Sequence, residues 1–154
     1  MIDGSIEQVL NDKGFIFTEF RGSSMNPLLV SGRDKVYIEK PKSRLKKGDI
    51  ALYNRSDGSY ILHRVFKVLP SSYAFWGDNH FALEYGVKDG DILGVAKGYY
   101  KGEKYIDFSK SKSYSAYKLF WCSSVWLRKF LHLFRRIWWK LKKLFSRKNK
   151  KIEK

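Results

Sequence analysis

Residues 47–66 read KGDIALYNRSDGSYILHRVF, and this stretch decides the fold class. Lys47-Gly48-Asp49 is a turn, and Ile50-Ala51-Leu52-Tyr53 is an apolar run short enough for a strand. Ser56-Asp57-Gly58-Ser59 is hairpin chemistry, and residues 60–69 form a second apolar, partly β-branched run. Two short strands around a glycine turn are a unit of antiparallel sheet.

The same grammar extends in both directions. Residues 15–20 are aromatic and β-branched, and residues 35–39 alternate with Val36 and Ile38 on one side. Residues 73–76 form a strand that stops at Gly77-Asp78-Asn79. Residues 91–99 form another, and Lys101-Gly102-Glu103-Lys104 turns into a last one at 105–108. Ahead of all these, residues 5–13 read as a short helix. Ser5 and Gln8 have capping-box spacing, Ile6, Val9 and Leu10 share a face, and Gly14 ends it. The predicted fold is mainly β, with a short N-terminal helix.

The C-terminal third differs in kind. Residues 109–115 alternate serine with lysine and tyrosine and read as a linker. Beyond them Phe120, Leu127, Phe134, Leu141 and Phe145 recur at helical spacing, with Leu131, Ile137, Trp138 and Leu144 widening that face. The formal net charge of +16 is concentrated here: residues 109–154 carry 15 Lys/Arg against Glu153 alone, whereas residues 1–108 are nearly neutral. The predicted organisation is therefore a β domain over 1–108 and a linker with a C-terminal basic amphipathic helix over 109–154. An anionic membrane surface suits that helix best, with aromatic residues in the interface and cations toward headgroups. Packing of its apolar face on the β body is the competing reading, and nucleic acid is the least favoured partner.

Cys122 is the only cysteine, which excludes an intramolecular disulfide and fits a reducing compartment. The N-terminus lacks the basic start and apolar run of a signal peptide. The longest apolar stretch, 119–134, is interrupted by Arg128, Lys129 and His132, short of the ~18 uncharged residues of a spanning helix. The expected location is cytoplasmic, peripheral on the inner face of the cell membrane.

Chemistry gathers in three places. Ser24 lies in the turn Gly22-Ser23-Ser24-Met25-Asn26-Pro27, where small neighbours admit a substrate and backbone N–H groups can receive an oxyanion. His63 lies within Leu62-His63-Arg64-Val65 on a strand, and a neutral imidazole is a general base near neutral pH. A serine nucleophile needs such a base, and the base needs a group to orient it. Asp78, in Gly77-Asp78-Asn79, and Glu84 are the two candidates. Each residue alone has an ordinary structural explanation: a loop serine, a hydrogen-bonded sheet histidine, a turn carboxylate.

Taken together, four blocks resemble the signal peptidase and LexA-like serine peptidase superfamily in the same order. They are Gly22-Ser23-Ser24-Met25-Asn26-Pro27, then Leu45-Lys46-Lys47-Gly48-Asp49-Ile50-Ala51-Leu52, then Leu62-His63-Arg64-Val65, then Gly77-Asp78-Asn79 followed by Val87-Lys88-Asp89-Gly90-Asp91-Ile92-Leu93-Gly94-Val95-Ala96. The resemblance implies a LexA/signal peptidase-like twisted β body and a serine endopeptidase without metal or cofactor. It implies Ser24 as nucleophile, being the serine directly before methionine. It implies His63 as base where many relatives carry lysine, as in the archaeal and endoplasmic-reticulum signal peptidases. Asp78 or Glu84 would orient the imidazole, and the N–H groups of Ser23 and Ser24 would bind the oxyanion, since Gly22 replaces a serine that assists in many bacterial relatives. The implied substrate is an extended peptide or protein segment, a leader or signal-like peptide. The membrane anchor and the helix-turn-helix domain found in such relatives are not expected here. The alternative is a catalytically silent member that binds peptides in the same groove.

Overall fold

The computed structural model describes residues 5–123. Helix α1 (Ile6–Lys13) begins as its sequence dictates: the Ser5 hydroxyl accepts from the Gln8 N–H, and the Gln8 side chain accepts from the Ser5 N–H. Gly14 ends it at φ 77°, a left-handed conformation that a residue with a Cβ adopts only under strain. Val9 and Leu10 are its buried residues.

Eight strands follow: β1 (Phe15–Glu19), β2 (Asp34–Glu39), β3 (Ile50–Asn54), β4 (Tyr60–Val68), β5 (Tyr73–Trp76), β6 (Glu84–Val87), β7 (Ile92–Lys101) and β8 (Lys104–Asp107). They form one sheet in the order β1-β2-β7-β3-β4-β5-β6, with β8 also paired to β7. Each pairing is antiparallel. The protein is thus mainly β, as predicted. Helix α2 (Lys112–Ser123) follows β8. Among the described residues no helix is long and apolar enough to cross a membrane.

The sheet is covered on both faces, and the period of two sorts its residues. Ile50 and Leu52 of β3 and Leu62 of β4 join a core with Leu10, Met25, Leu29, Val36 and Ile38. Ala51 and Tyr53 of β3 and Val65 of β4 join a second core with Leu45, Tyr73, Phe75 and Val95. The β3–β4 hairpin sets Ala51 opposite His63 and Tyr53 opposite Ile61, so Tyr53 and His63 share a face. Arg64, next along β4, points to the other.

Two features depart from the sequence-based expectation. Strand β6 falls where no strand was predicted, because it is four residues long, half exposed and contains Gly86 at φ 84°. The expected linker at 109–115 is helical from Lys112, capped by the Ser111 hydroxyl accepting from the Tyr114 N–H. Tyr114 and Tyr117 of α2 pack against the body, Lys118 and Cys122 lie against Gly48, and Leu119 is 71% and Phe120 38% exposed. The first part of the segment expected to lie on a membrane therefore packs on the β body. The remaining basic amphipathic segment lies outside the described residues.

Candidate functional site

Ser24 and His63 line the same cavity, of about 990 Å³, whose walls include Phe20, Val36, Leu52 and Leu62. The turn carrying Ser24 is anchored from below. Met25 and Leu29 are fully buried, Leu28 nearly so, and the Leu29 N–H donates to the Met25 carbonyl at 3.1 Å. Ser24 itself is half-buried. From the side, Asn79 grips the turn: its N–H donates to the Ser24 carbonyl at 2.6 Å and its side-chain amide to the Ser23 carbonyl at 3.1 Å.

His63 reaches this turn through Gly77. The β4–β5 register sets Arg64 opposite Trp76, which brings Gly77 beside His63. A Cβ on Gly77 would stand 2.8 Å from the Ser24 carbonyl oxygen and 2.9 Å from His63 Nε2. The glycine is there because the imidazole and the serine turn occupy the space of a side chain. Among the described residues, Ser24 Oγ and His63 are not hydrogen-bonded to each other.

Behind His63 runs a chain of polar groups. His63 Nδ1 lies 3.3 Å from Tyr53 Oη, and Tyr53 Oη donates to Glu84 Oε2 at 2.7 Å. Arg55 clamps Glu84 with two bonds, Nε to Oε1 at 2.8 Å and Nη2 to Oε2 at 2.7 Å. The phenol has one proton, and the charged carboxylate is the stronger acceptor. This assigns the Nδ1–H tautomer to His63, donating to Tyr53 Oη, with the Nε2 lone pair facing Gly77 and the serine turn.

The protonation states agree with that assignment. Burial, and next the neighbouring His80, push His63 down to about 4, so the imidazole is neutral at neutral pH. The Arg55 hydrogen bond, with help from Tyr53, outweighs burial and holds Glu84 below the usual carboxylate range. Burial and the Glu84 hydrogen bond raise Tyr53 far above an ordinary phenol, keeping it protonated.

The two candidate orienting carboxylates separate. Glu84 reaches His63, with Tyr53 between them. Asp78, also considered as the orienting group, is instead held by Arg64, Nε to Oδ1 at 2.9 Å and Nη2 to Oδ2 at 2.7 Å. Both oxygens of Asp78 are engaged by Arg64, with Tyr117 as a further donor, and among the described residues no hydrogen bond joins Asp78 to His63. Tyr53, Arg55 and Asn79 were not anticipated from sequence. Nor was His80, whose ring centroid lies 5.5 Å from that of His63 and which lines the same cavity. No protein-family model matches this chain, and no curated protein matches it.

Proposed function

We propose that this protein is a serine endopeptidase of the signal peptidase and LexA-like type, with Ser24 as nucleophile and His63 as base. The observation that supports it most is the convergence of the serine turn and His63 Nε2 on the empty side of Gly77, beside one cavity. Ser24 Oγ attacks the peptide carbonyl carbon while His63 Nε2 takes its proton. The N–H groups of Ser23 and Ser24 receive the oxyanion. Collapse of the tetrahedral intermediate breaks the C–N bond, and His63 returns the proton to the leaving amine. Water then attacks the acyl-serine, its proton passing to His63, and the new carboxyl group leaves as Ser24 regains the proton. Glu84 acts through Tyr53 to keep the tautomer this sequence requires.

The substrate is an extended segment, a leader or signal-like peptide. β1 ends the sheet, so its outer edge offers backbone groups to a substrate strand, and Phe17 and Phe20 line the cavity beside it. The anionic membrane surface proposed as a partner of the C-terminal segment, on the cytoplasmic face, rests on that segment's sequence. A second reading, a silent peptide-binding member, is favoured by the lack of a direct Ser24–His63 hydrogen bond, a bond that often forms only with substrate in place.

Digestion of a mixture of extended peptides, with products read by mass spectrometry, tests the proposal. New termini are expected from the native chain. Their absence at every pH from 5 to 9 supports the silent reading.

The same assay gives a pH signature. His63 must be neutral to act, and it protonates only at about 4. The acid limb of kcat/KM should therefore fall at about pH 4, and a limb near the 6.5 of an ordinary histidine contradicts the assignment. Stability follows the same sign. A depressed histidine stabilises the fold fully above 6.5, and that contribution is lost as pH falls through about 4.

Tyr53→Phe keeps the ring packed 4.5 Å from Phe75 and removes only the hydroxyl. The imidazole then loses its orienting acceptor, and kcat should fall about 10²-fold with KM little changed. Equal kcat in wild type and variant would remove Tyr53 from the mechanism.

A further inference from the structure

Helix α2 reaches strand β4 at Arg64, the residue after His63. Two of its side chains end on one buried ion pair. Arg64 Nη1 donates to Tyr114 Oη at 3.1 Å, and Tyr117 Oη donates to Asp78 Oδ2 at 3.0 Å. The guanidinium also lies 5.8 Å from the Tyr114 ring centroid and 5.6 Å from that of Tyr117. A third donation, from Arg64 Nη1 to the Gly48 carbonyl at 3.0 Å, ties in the turn before β3.

The position of this pair in the chain gives it consequence. Arg64 follows His63 directly. Asp78 sits between Gly77, which makes room for the imidazole, and Asn79, which holds the carbonyls of Ser23 and Ser24. The Arg64–Asp78 pair therefore joins the strand of the base to the clamp on the nucleophile turn, and α2 supplies hydroxyls to both of its members. Oδ2 of Asp78 receives Arg64 and Tyr117 together. Without the phenol, that buried oxygen loses one of its donors, and a carboxylate short of partners moves toward others.

We propose that Tyr114 and Tyr117 are positioning residues, fixing the nucleophile turn relative to His63 through the Arg64–Asp78 pair. The kinetic consequence rests on the hydrolytic reading above, and the geometric consequence does not.

The test uses the full-length chain with Tyr117→Phe and, separately, Tyr114→Phe, each of which keeps its ring. Amide hydrogen exchange by NMR reads the geometry directly, because the Asn79 N–H reports its bond to the Ser24 carbonyl. In Tyr117→Phe that amide should exchange about tenfold faster, while Val36 and Ile38 in the core keep their protection. In the peptide assay kcat should fall about tenfold with KM within about twofold. Unchanged Asn79 exchange in both variants overturns the proposal. Uniformly faster exchange, including Val36 and Ile38, also overturns it, since α2 would then support the fold alone. A loosened Asn79 amide in a chain whose native form cleaves no peptide sustains the positioning role and removes the hydrolytic reading.

Discussion

Ser24→Ala is expected to lower peptide hydrolysis by about 10⁴-fold or more while leaving the fold intact. The turn is held by buried Met25, Leu28 and Leu29 and by Asn79, and none of these contacts involves Ser24 Oγ. Alanine removes one oxygen from a half-buried position and opens no core cavity. His63→Ala should cost a similar factor, and the double variant little more, because a nucleophile without its base gains nothing from the pairing. Product formation by mass spectrometry, with circular dichroism as the control on folding, checks all three. A single variant that retains native activity would refute the assigned roles.

The second large effect is on stability. Asp78→Ala should destabilise the chain by about 3–5 kcal/mol, the usual result of stranding one member of a buried pair. Asp78 is fully buried and the Arg64 side chain is only 2% exposed, so water cannot replace the lost carboxylate. The exposed pair Arg44–Asp89, at 41% and 59%, offers the contrast: Asp89→Ala breaks an ion pair worth about 0–1 kcal/mol and one bond from the Tyr73 hydroxyl worth about 1 kcal/mol, a sum still below the cost at Asp78. Urea unfolding of both variants measures the difference. A cost at Asp78 no larger than that at Asp89 would mean that Arg64 finds other partners, and that the pair does not join the strand of His63 to the Ser24 turn.

Much of the sheet was legible in the sequence because turns and alternation announce it. Ser5, Gln8 and Gly14 cap α1 as their types predict, and Ser56-Asp57-Gly58-Ser59 closes the β3–β4 hairpin. Strand β6 was not legible, since a short exposed edge strand containing glycine has neither apolar run nor alternation. Missing β6 hid the route by which Glu84 approaches His63. Tyr53 was within reach: hairpin register places it opposite Ile61, two positions from His63 on the same face. Asp78 misled for a physical reason. A carboxylate near a histidine in sequence order says nothing of the arginine beside that histidine, which outcompetes a neutral imidazole for it. The serines of residues 109–115 resemble a linker, yet Ser111 serves as a helix cap and Tyr114 as a buried anchor.

The most direct test of the central claim is covalent labelling of the native chain by an alkyl fluorophosphonate, with the site located by mass spectrometry of its peptides. A nucleophilic serine displaces fluoride and forms an oxygen–phosphorus bond, and an ordinary loop serine does not. Adduct on Ser24, abolished in His63→Ala and slowed in Tyr53→Phe, is the result expected from the geometry described above. No adduct on Ser24, or labelling that is indifferent to His63, would contradict a Ser24–His63 catalytic centre.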